Sequence, residues 1–383
     1  MKYTVGSLFA GIGGICLGFK NAQTQNGLYE LAWANEIDGY ACKTYKTNFK
    51  HTLLEGDINL IINPSYAPEK GAHNKEYYRE LQKQLLSTKI DVISAGFPCQ
   101  AFSIAGERKG FEDERGNLFW SIINVVKLLD KKFEKPRVLF LENVKNLVAH
   151  DGGNTYKVIK GEIEKLGYTV KDKVLNTMYF SELPQNRERI YIVCFRDKKD
   201  AEKFTLFDKI EDFKRSFTKE ERIQAIESII DYDCEIAEKY YYTKDKYPNY
   251  FASGDDNPNK INIDKEITEL YEFYQVRRGM YVRKNQSGVC PTLTANMGTG
   301  GHNVPLIKDK KGIRKLTPAE TFKLQGFPVG RGYGLPKEFN GKPFSDCNLY
   351  KQAGNTVSVP VIQLIATEIL KVLTGNDGQE NNI

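Results

Sequence analysis

A single cysteine gains chemical interest from where the chain places it. Asp91–Ala95 is a short apolar run that leads into Gly96-Phe97-Pro98-Cys99-Gln100. Open α/β sheets bind ligands beyond the carboxyl ends of their strands, so Cys99 stands where a nucleophile would meet a substrate. Isolated cysteines are usually inert and buried, and two later segments set this one apart. Val138–Leu141 is another apolar run and ends in Glu142-Asn143-Val144, while Gln185-Asn186-Arg187-Glu188-Arg189 precedes a third, Ile190–Phe195. Side chains alternate along a strand, which puts Arg187 and Arg189 on one expected face. Taken singly, Glu142 could cap a helix and the arginines could be surface ion-pair groups. Together they offer a thiol nucleophile, an acid and two fixed cations around one mouth.

A second constellation lies at the start of the chain. The run Tyr3–Phe9 passes directly into Ala10-Gly11-Ile12-Gly13-Gly14 and then into a helical pattern. Glycines at a strand-to-helix turn let a ligand approach the backbone, and a helix start offers unpaired N–H donors. The spacing falls short of a full G-x-G-x-x-G, and a tight turn that only packs helix on strand would use the same residues. The next run, Leu31–Asn35, ends at Glu36, which could accept bonds from both ribose hydroxyls. Asp57, in Gly56-Asp57-Ile58, falls where a third strand should end and could meet an adenine amino group. The glycines and carboxylates together favour an adenosine ligand and leave open which one.

Elements that could hold these residues follow from the apolar periodicity. Tyr3–Phe9, Leu31–Asn35, Asp91–Ala95, Val138–Glu142 and Ile190–Phe195 have the length and flanks of strands. Leu118–Leu129 and Tyr156–Leu166 between them carry apolar residues at helical spacing. Alternating strands and helices imply an α/β domain with a mainly parallel sheet covered on both faces. The rhythm ends after Arg196. Asp197–Tyr247 is highly charged and partly helical in pattern, Asn249–Ile263 has loop composition, and Tyr271–Ile307 holds short strand-like pieces with a basic cluster. Ser358–Leu373 is an amphipathic helix followed by a polar tail.

The 383 residues suffice for one large domain and a smaller one, and 40% hydrophobic with 12% aromatic content excludes a disordered chain. A net charge of +6 suits a polyanionic partner without requiring one. Seven cysteines without a CxxC pair, and only four histidines, give no metal-site spacing and suggest a reducing compartment. No signal peptide and no membrane-length apolar run is expected, which places the protein in the cytoplasm.

With these residues in hand, the chain resembles the bacterial DNA cytosine carbon-5 methyltransferases of restriction–modification systems along nearly its whole length. Ser7-Leu8-Phe9-Ala10-Gly11-Ile12-Gly13-Gly14 is similar to their cofactor motif, and Asn35-Glu36-Ile37-Asp38 and Gly56-Asp57-Ile58 to the next two. Gly96–Ser103 matches the Pro-Cys nucleophile segment, followed in order by Arg115–Phe119, Glu142–Val144 and Gln185–Arg189. Arg314–Glu320 with Leu324–Pro328, and Gln352–Val357, resemble the last two motifs.

The resemblance implies a Rossmann-like S-adenosylmethionine-dependent methyltransferase domain with a smaller target-recognition domain across a DNA cleft. The expected division is a large domain over 1–215, a small one over 216–326, a return segment over 327–353, and a C-terminal motif and helix over 354–383 rejoining the large domain. It implies S-adenosyl-L-methionine as cofactor, held by Phe9, Ala10, Gly11, Gly13, Gly14, Glu36, Ile37, Asp57, Ile58, Pro98, Leu118, Asn355 and Val357. The target cytosine would be flipped out of double-stranded DNA beside Cys99. Cys99 would add to carbon-6 so that carbon-5 becomes nucleophilic. Glu142 would protonate N3 if burial raises its pKa, Arg189 would bind the carbonyl at carbon-2, and Arg187 would support it or clamp a phosphate.

Gln100, Ser103, Arg115, Arg277, Arg278, Arg283, Lys284 and Thr292 are the expected DNA contacts, with Asn285, Gln286, Asn296 and Asn303 nearby. Arginine can read guanine, although phosphates take half to two-thirds of such contacts. The chain is expected to act as a monomer, with a separate restriction endonuclease as possible partner. An RNA cytosine methyltransferase is the nearest rival, ahead of a non-catalytic DNA-binding repressor and a nicotinamide-dependent dehydrogenase.

Overall fold

Strand β1 (Lys2–Leu8) runs through Phe9–Gly13 into helix α1 (Gly14–Asn21), and the chain returns through β2 (Gln23–Thr24) and β3 (Gly27–Glu36). In this computed structural model, which describes residues 1–97, 118–232, 235–251, 261–277, 279, 281–299 and 303–375, β1 and β3 pair in parallel from Lys2↔Leu28 to Ser7↔Ala34. Helix α2 (Gly39–Asn48), capped by the Asp38 carboxylate, leads to β4 (Thr52–Glu55). Helices α3 (Ile58–Ile62) and α4 (Lys75–Leu85) then precede β5 (Val92–Gly96). Helix α5 (Leu118–Lys132), β6 (Val138–Val144), α6 (Asn154–Lys165), β7 (Thr169–Asn176) and β8 (Glu188–Phe195) complete the series.

The strand order is β2-β3-β1-β5-β6-β8-β7, with β4 also on β3. The β3–β4, β1–β3, β1–β5 and β5–β6 pairs are parallel, whereas β8 runs antiparallel to β6. The expected strands occur as β1, β3, β5, β6 and β8. Strand β7 went unforeseen because its sequence, TVKDKVLN, carries charges and is only half-buried along most of its length. This is a Rossmann-like α/β sheet, mostly parallel, with its parallel carboxyl ends on one edge.

Both faces are covered. On one, α5 buries Phe119, Ile122, Ile123, Val125, Val126 and Leu129 in a core shared with Leu81, Leu139, Ile159 and Ile192. On the other, α1 lies under the C-terminal helix Val359–Thr374, whose Ile362 occupies the space a side chain at Gly18 would need. Tyr29 Oη donates to the Ala366 carbonyl at 2.9 Å and fixes that helix on the sheet. Asp346–Thr374 does have the length and hydropathy of a membrane span, contrary to expectation. However, 67% of its most apolar window is buried in protein and the helix breaks between Asn355 and Val359.

Packing divides the chain into two units. The larger comprises residues 1–175, 188–213 and 359–383, and the smaller 176–187 and 214–358. The expected boundaries at 215 and 354 therefore differ from the contact pattern in two places. Asn176–Arg187 packs with the smaller unit, and the chain rejoins the larger one at Val359.

The smaller unit contains a four-stranded antiparallel sheet, order β10-β9-β11-β12, formed by β9 (Tyr274–Arg277), β10 (Tyr281–Lys284), β11 (Leu306–Lys308) and β12 (Ile313–Lys315). Tyr274, Leu306 and Ile313 join Ile261, Ile263 and Ile267 in its core. Beside them Arg314, 0% exposed, donates through Nε to Asp309 at 2.7 Å and through both Nη atoms to Glu320 at 2.9 and 2.8 Å. Glu320 also closes a capping box with Thr317 at the start of helix Pro318–Lys323. Burial alone would raise the Asp309 pKa, but bonds from Tyr241, the Gly312 N–H, Arg314 and the Lys311 N–H hold it below the ordinary carboxylate range.

Removing one partner of such a buried set strands the other charges. Arg314→Ala is therefore expected to lower the unfolding free energy by about 3–5 kcal/mol in urea titrations.

Candidate active site

The loop after β1 is knitted to the ends of β3 and β4 by polar groups. Glu36 Oε2 accepts from the Gly11 N–H at 2.7 Å, and Oε1 accepts from Ile37 and Asp38 N–H at 2.8 Å each. Asn35 Nδ2 donates to the Leu54 and Gly56 carbonyls at 2.9 Å, and its own carbonyl receives the Ala10 N–H. Phe9 is held at φ 53°, a left-handed conformation that bulky residues rarely adopt, so the surrounding bonds must over-determine it. Gly13, at φ 87°, caps α1 and faces the Phe49 ring where any Cβ would collide. Gly14 opens the helix and is buried. Gly11, by contrast, has open space where its Cβ would be.

Of the other residues expected around the cofactor, Ile37 is 67% exposed beside Glu36, whereas Ile58 is 2% exposed and part of the core. Asp57 Oδ1 caps α3 by accepting from Asn59 N–H at 2.8 Å. Leu118 begins α5 and packs on the core, and Pro98 lies outside the described residues. Asn355, exposed, ends helix Asp346–Asn355, and Val357 is 5% exposed two residues later.

Cys99, Gln100, Ser103 and Arg115 also lie outside the described residues, but the strand that leads to them is fully placed. Gly96, the last residue of β5, is the parallel partner of Glu142 on β6. The Glu142 carboxylate lies directly beside it, with Oε2 3.6 Å from where a Cβ would stand, an ordinary contact distance. Glu142 is 7% exposed, and Arg189 Nε lies 3.2 Å from its Oε1. Arg189 is opposite Val144 and so diagonal to Glu142 across the antiparallel β6–β8 pair. This register aims the guanidinium along the sheet edge at the carboxylate. Asn143, which the sequence showed only as part of a motif, donates to the Phe97 carbonyl at 2.7 Å and braces the chain just before Pro98.

The expectation that Arg187 and Arg189 share a strand face does not hold. β8 begins at Glu188, and Arg187 is 2% exposed in the smaller unit. There it donates to the carbonyls of Leu293 at 2.7 Å, Gly354 at 3.4 Å, and Thr356.

The expected DNA contacts also separate. Arg277 Nη2 donates to Gln275 Oε1 at 2.8 Å, and Arg277, Gln275, Tyr281 and Arg283 share one face of the β9–β10 hairpin. Arg283 is exposed, and so is Tyr281, at 52%. Lys284, also exposed, points to the other face, where it pairs with Glu269 at 2.8 Å and Glu272 at 3.7 Å. Thr292 Oγ1 donates to the Asn186 carbonyl at 2.7 Å, and Asn285 closes its own turn onto Val289. Arg278 is outside the described residues. Gln275 and Tyr281 escaped sequence reasoning, because only the hairpin register puts them beside Arg277 and Arg283.

Comparison with known proteins gives the same picture across the whole chain. The family described as C-5 cytosine-specific DNA methylase matches residues 3–371. The type II methyltransferase M.Bsp6I of Bacillus sp. (strain RFL6) is 44% identical over 370 residues, covering 96% of this chain and 98% of that protein. M.HhaI of Haemophilus parahaemolyticus is 32% identical, covering 94% and 92%. Among solved structures, the S. pombe Dnmt2 methyltransferase superposes with a TM-score of 0.65 at 16% identity, over 97% of this chain and 99% of that one, which speaks for the fold.

Glu36 uses both oxygens on backbone donors, so an amide in its place would leave one donor set facing an NH2 group. Glu36→Gln is expected to cost about 0.5–1.5 kcal/mol, the net worth of a partly exposed hydrogen bond. Chemical denaturation of the variant measures it.

Proposed function

This chain belongs to the C-5 cytosine-specific DNA methylase family, and from that membership we propose how its residues divide the reaction and which partners it serves. It is a DNA (cytosine-5-)-methyltransferase that uses S-adenosyl-L-methionine, and its relatives are type II enzymes of restriction–modification systems. The proposed substrate is a cytosine flipped out of a short double-stranded target, at a cost of a few kcal/mol. The proposed setting is the bacterial cytoplasm, with the chain acting as a monomer that protects host DNA from a separate endonuclease.

The residues at the strand ends fit an adenosyl group. The open face of Gly11 admits a ligand against the backbone, Glu36 presents carboxylate lone pairs to ribose, and exposed Ile37 offers an apolar surface to a base. Phe9, Ala10, Gly13 and Gly14 shape that loop, and Asp57 stands at the end of β4 for the adenine amino group. By family motif, Pro98, Leu118, Asn355 and Val357 complete the set. When bound, S-adenosylmethionine supplies an electrophilic methyl group.

The observation that carries the mechanism is the Glu142–Arg189 pair, 3.2 Å apart at the edge where β5 leads to Cys99. In the proposed course, the Cys99 thiolate forms a bond to carbon-6 as Glu142 gives a proton to N3. Arg189 stabilises the carbonyl oxygen at carbon-2. Carbon-5, now enamine-like, takes the methyl group. Loss of the carbon-5 proton to a base then restores the double bond and expels the Cys99 sulfur.

Fluorine at carbon-5 leaves no proton to remove, so a duplex with 5-fluorocytosine at the target should form a denaturation-resistant adduct with wild type and none with Cys99→Ser. Absence of the wild-type adduct overturns the covalent course. Glu142→Gln should slow adduct formation by about 10²–10⁴, the range for general acid help.

The hairpin yields a separate test by anisotropy at several salt concentrations. Arg283→Ala should lower the salt slope by about one unit on every duplex, and Lys284→Ala should lower it less, because that ammonium lies on the other face and is paired with Glu269. Arg277→Ala should cost ~1–3 kcal/mol on the cognate site alone.

A further inference from the structure

Arg187 is a buried cation that donates to backbone carbonyls of two different stretches. Leu293 belongs to the Thr292-Leu293 segment, and Gly354 and Thr356 flank Asn355. Gln185, 0% exposed, reinforces the same link. Its Nε2 donates to the Leu324 carbonyl at 2.7 Å and to Gln325 Oε1 at 3.3 Å, and Gln325 in turn donates to the Ala353 carbonyl at 2.8 Å. The Leu293 N–H reaches Gln185 Oε1 at 3.5 Å.

The two stretches also touch without side chains between them. A Cβ on Gly354 would overlap the Thr294 carbonyl and the Ala295 nitrogen, and one on Gly298 would lie 2.6 Å from the Cys347 carbonyl. Contacts with no Cβ have no soft side chain to absorb displacement, so movement of one backbone is passed to the other.

We propose that Arg187 is a positioning residue that makes the Thr292–Gly298 target segment and the Gly354–Thr356 cofactor turn one body, so that cofactor binding orders the target segment. The proposal rests on the family-based assignment of Asn355 to the cofactor and of Thr292, the neighbour of Leu293, to DNA contact. Arg187 acts through the backbone of both stretches. It fixes the direction of the peptide groups on both sides of Asn355 with the same planar fork that holds Leu293. A lysine would keep the charge but could not span three acceptors in one plane.

The test uses S-adenosylhomocysteine and a cognate duplex identified by bisulfite sequencing of DNA from expressing cells. On wild type without DNA, S-adenosylhomocysteine should slow amide hydrogen exchange in 291–299 as well as in 353–358. It should also strengthen duplex binding, by about tenfold if the coupling is of usual size. Arg187→Lys should weaken S-adenosylhomocysteine binding, measured calorimetrically, and bring that strengthening below about twofold. Gly298→Ala, which presses on the same contact without altering Arg187, should move both quantities in the same direction.

Unchanged exchange in 291–299 on wild type overturns the proposal whether or not the variants fold. So does an Arg187→Lys protein with wild-type affinities and coupling, including one that loses only the single-turnover rate, since that would place Arg187 on the substrate. If wild type binds no S-adenosylhomocysteine or no duplex, the cofactor or substrate assignment fails instead.

Discussion

A carboxylate withdrawn from water is too costly to keep without a cation beside it. Glu142, 7% exposed, has the Arg189 guanidinium 3.2 Å away, and much of the larger unit can be understood as support for that pair. Arg189 reaches Glu142 because β8 runs antiparallel to β6, so the chain re-enters the sheet at the carboxyl edge. A parallel strand would have begun at the opposite edge and carried a residue this close to its start away from the site. Gly96 lies beside the acid, and Asn143 turns away to hold the Phe97 carbonyl. The neighbours of the acid thus come from three adjacent strands, β5, β6 and β8.

The same economy governs the cofactor edge. Glu36 ties down the Gly11, Ile37 and Asp38 N–H groups, and Asn35 ties β3 to β4, so the loop that must approach a ligand closely is held by polar bonds rather than by bulk. That leaves Gly11 open and keeps Phe9 in a backbone conformation it would not choose alone. Carboxylates that looked like ligand contacts in the sequence are first of all structural acceptors.

In the smaller unit, arginines do the work that a larger apolar core would do elsewhere. Arg314 gathers Asp309 and Glu320, and Arg187 gathers three carbonyls. Such fully bonded cations are poor sources of net stability but exacting about geometry, because a shifted partner leaves a buried charge unsatisfied. A unit built of short strands and long connections gains its definite shape from these bonds. Its exposed arginines, such as Arg283, are left to meet a partner.

The strands, the glycine turn and the residue types at the strand ends were legible in the sequence because each depends on local periodicity and turn chemistry. Tyr3–Phe9, Val138–Glu142 and Ile190–Phe195 are runs whose apolar side chains have no other use than a buried sheet. The ordered motifs then identified the family, since a spaced series of chemistry-bearing residues is far more specific than any one of them. Arg187 and Lys284 show where that legibility stopped. Both are basic residues within expected functional segments, and sequence offers no means to tell a free cation from one that already has partners in the fold. Their partners, the Leu293 and Thr356 carbonyls for one and Glu269 for the other, are distant along the chain or set by hairpin register. Which charge remains available to a ligand is a balance of long-range hydrogen bonds and desolvation, and only the folded arrangement brings those terms together.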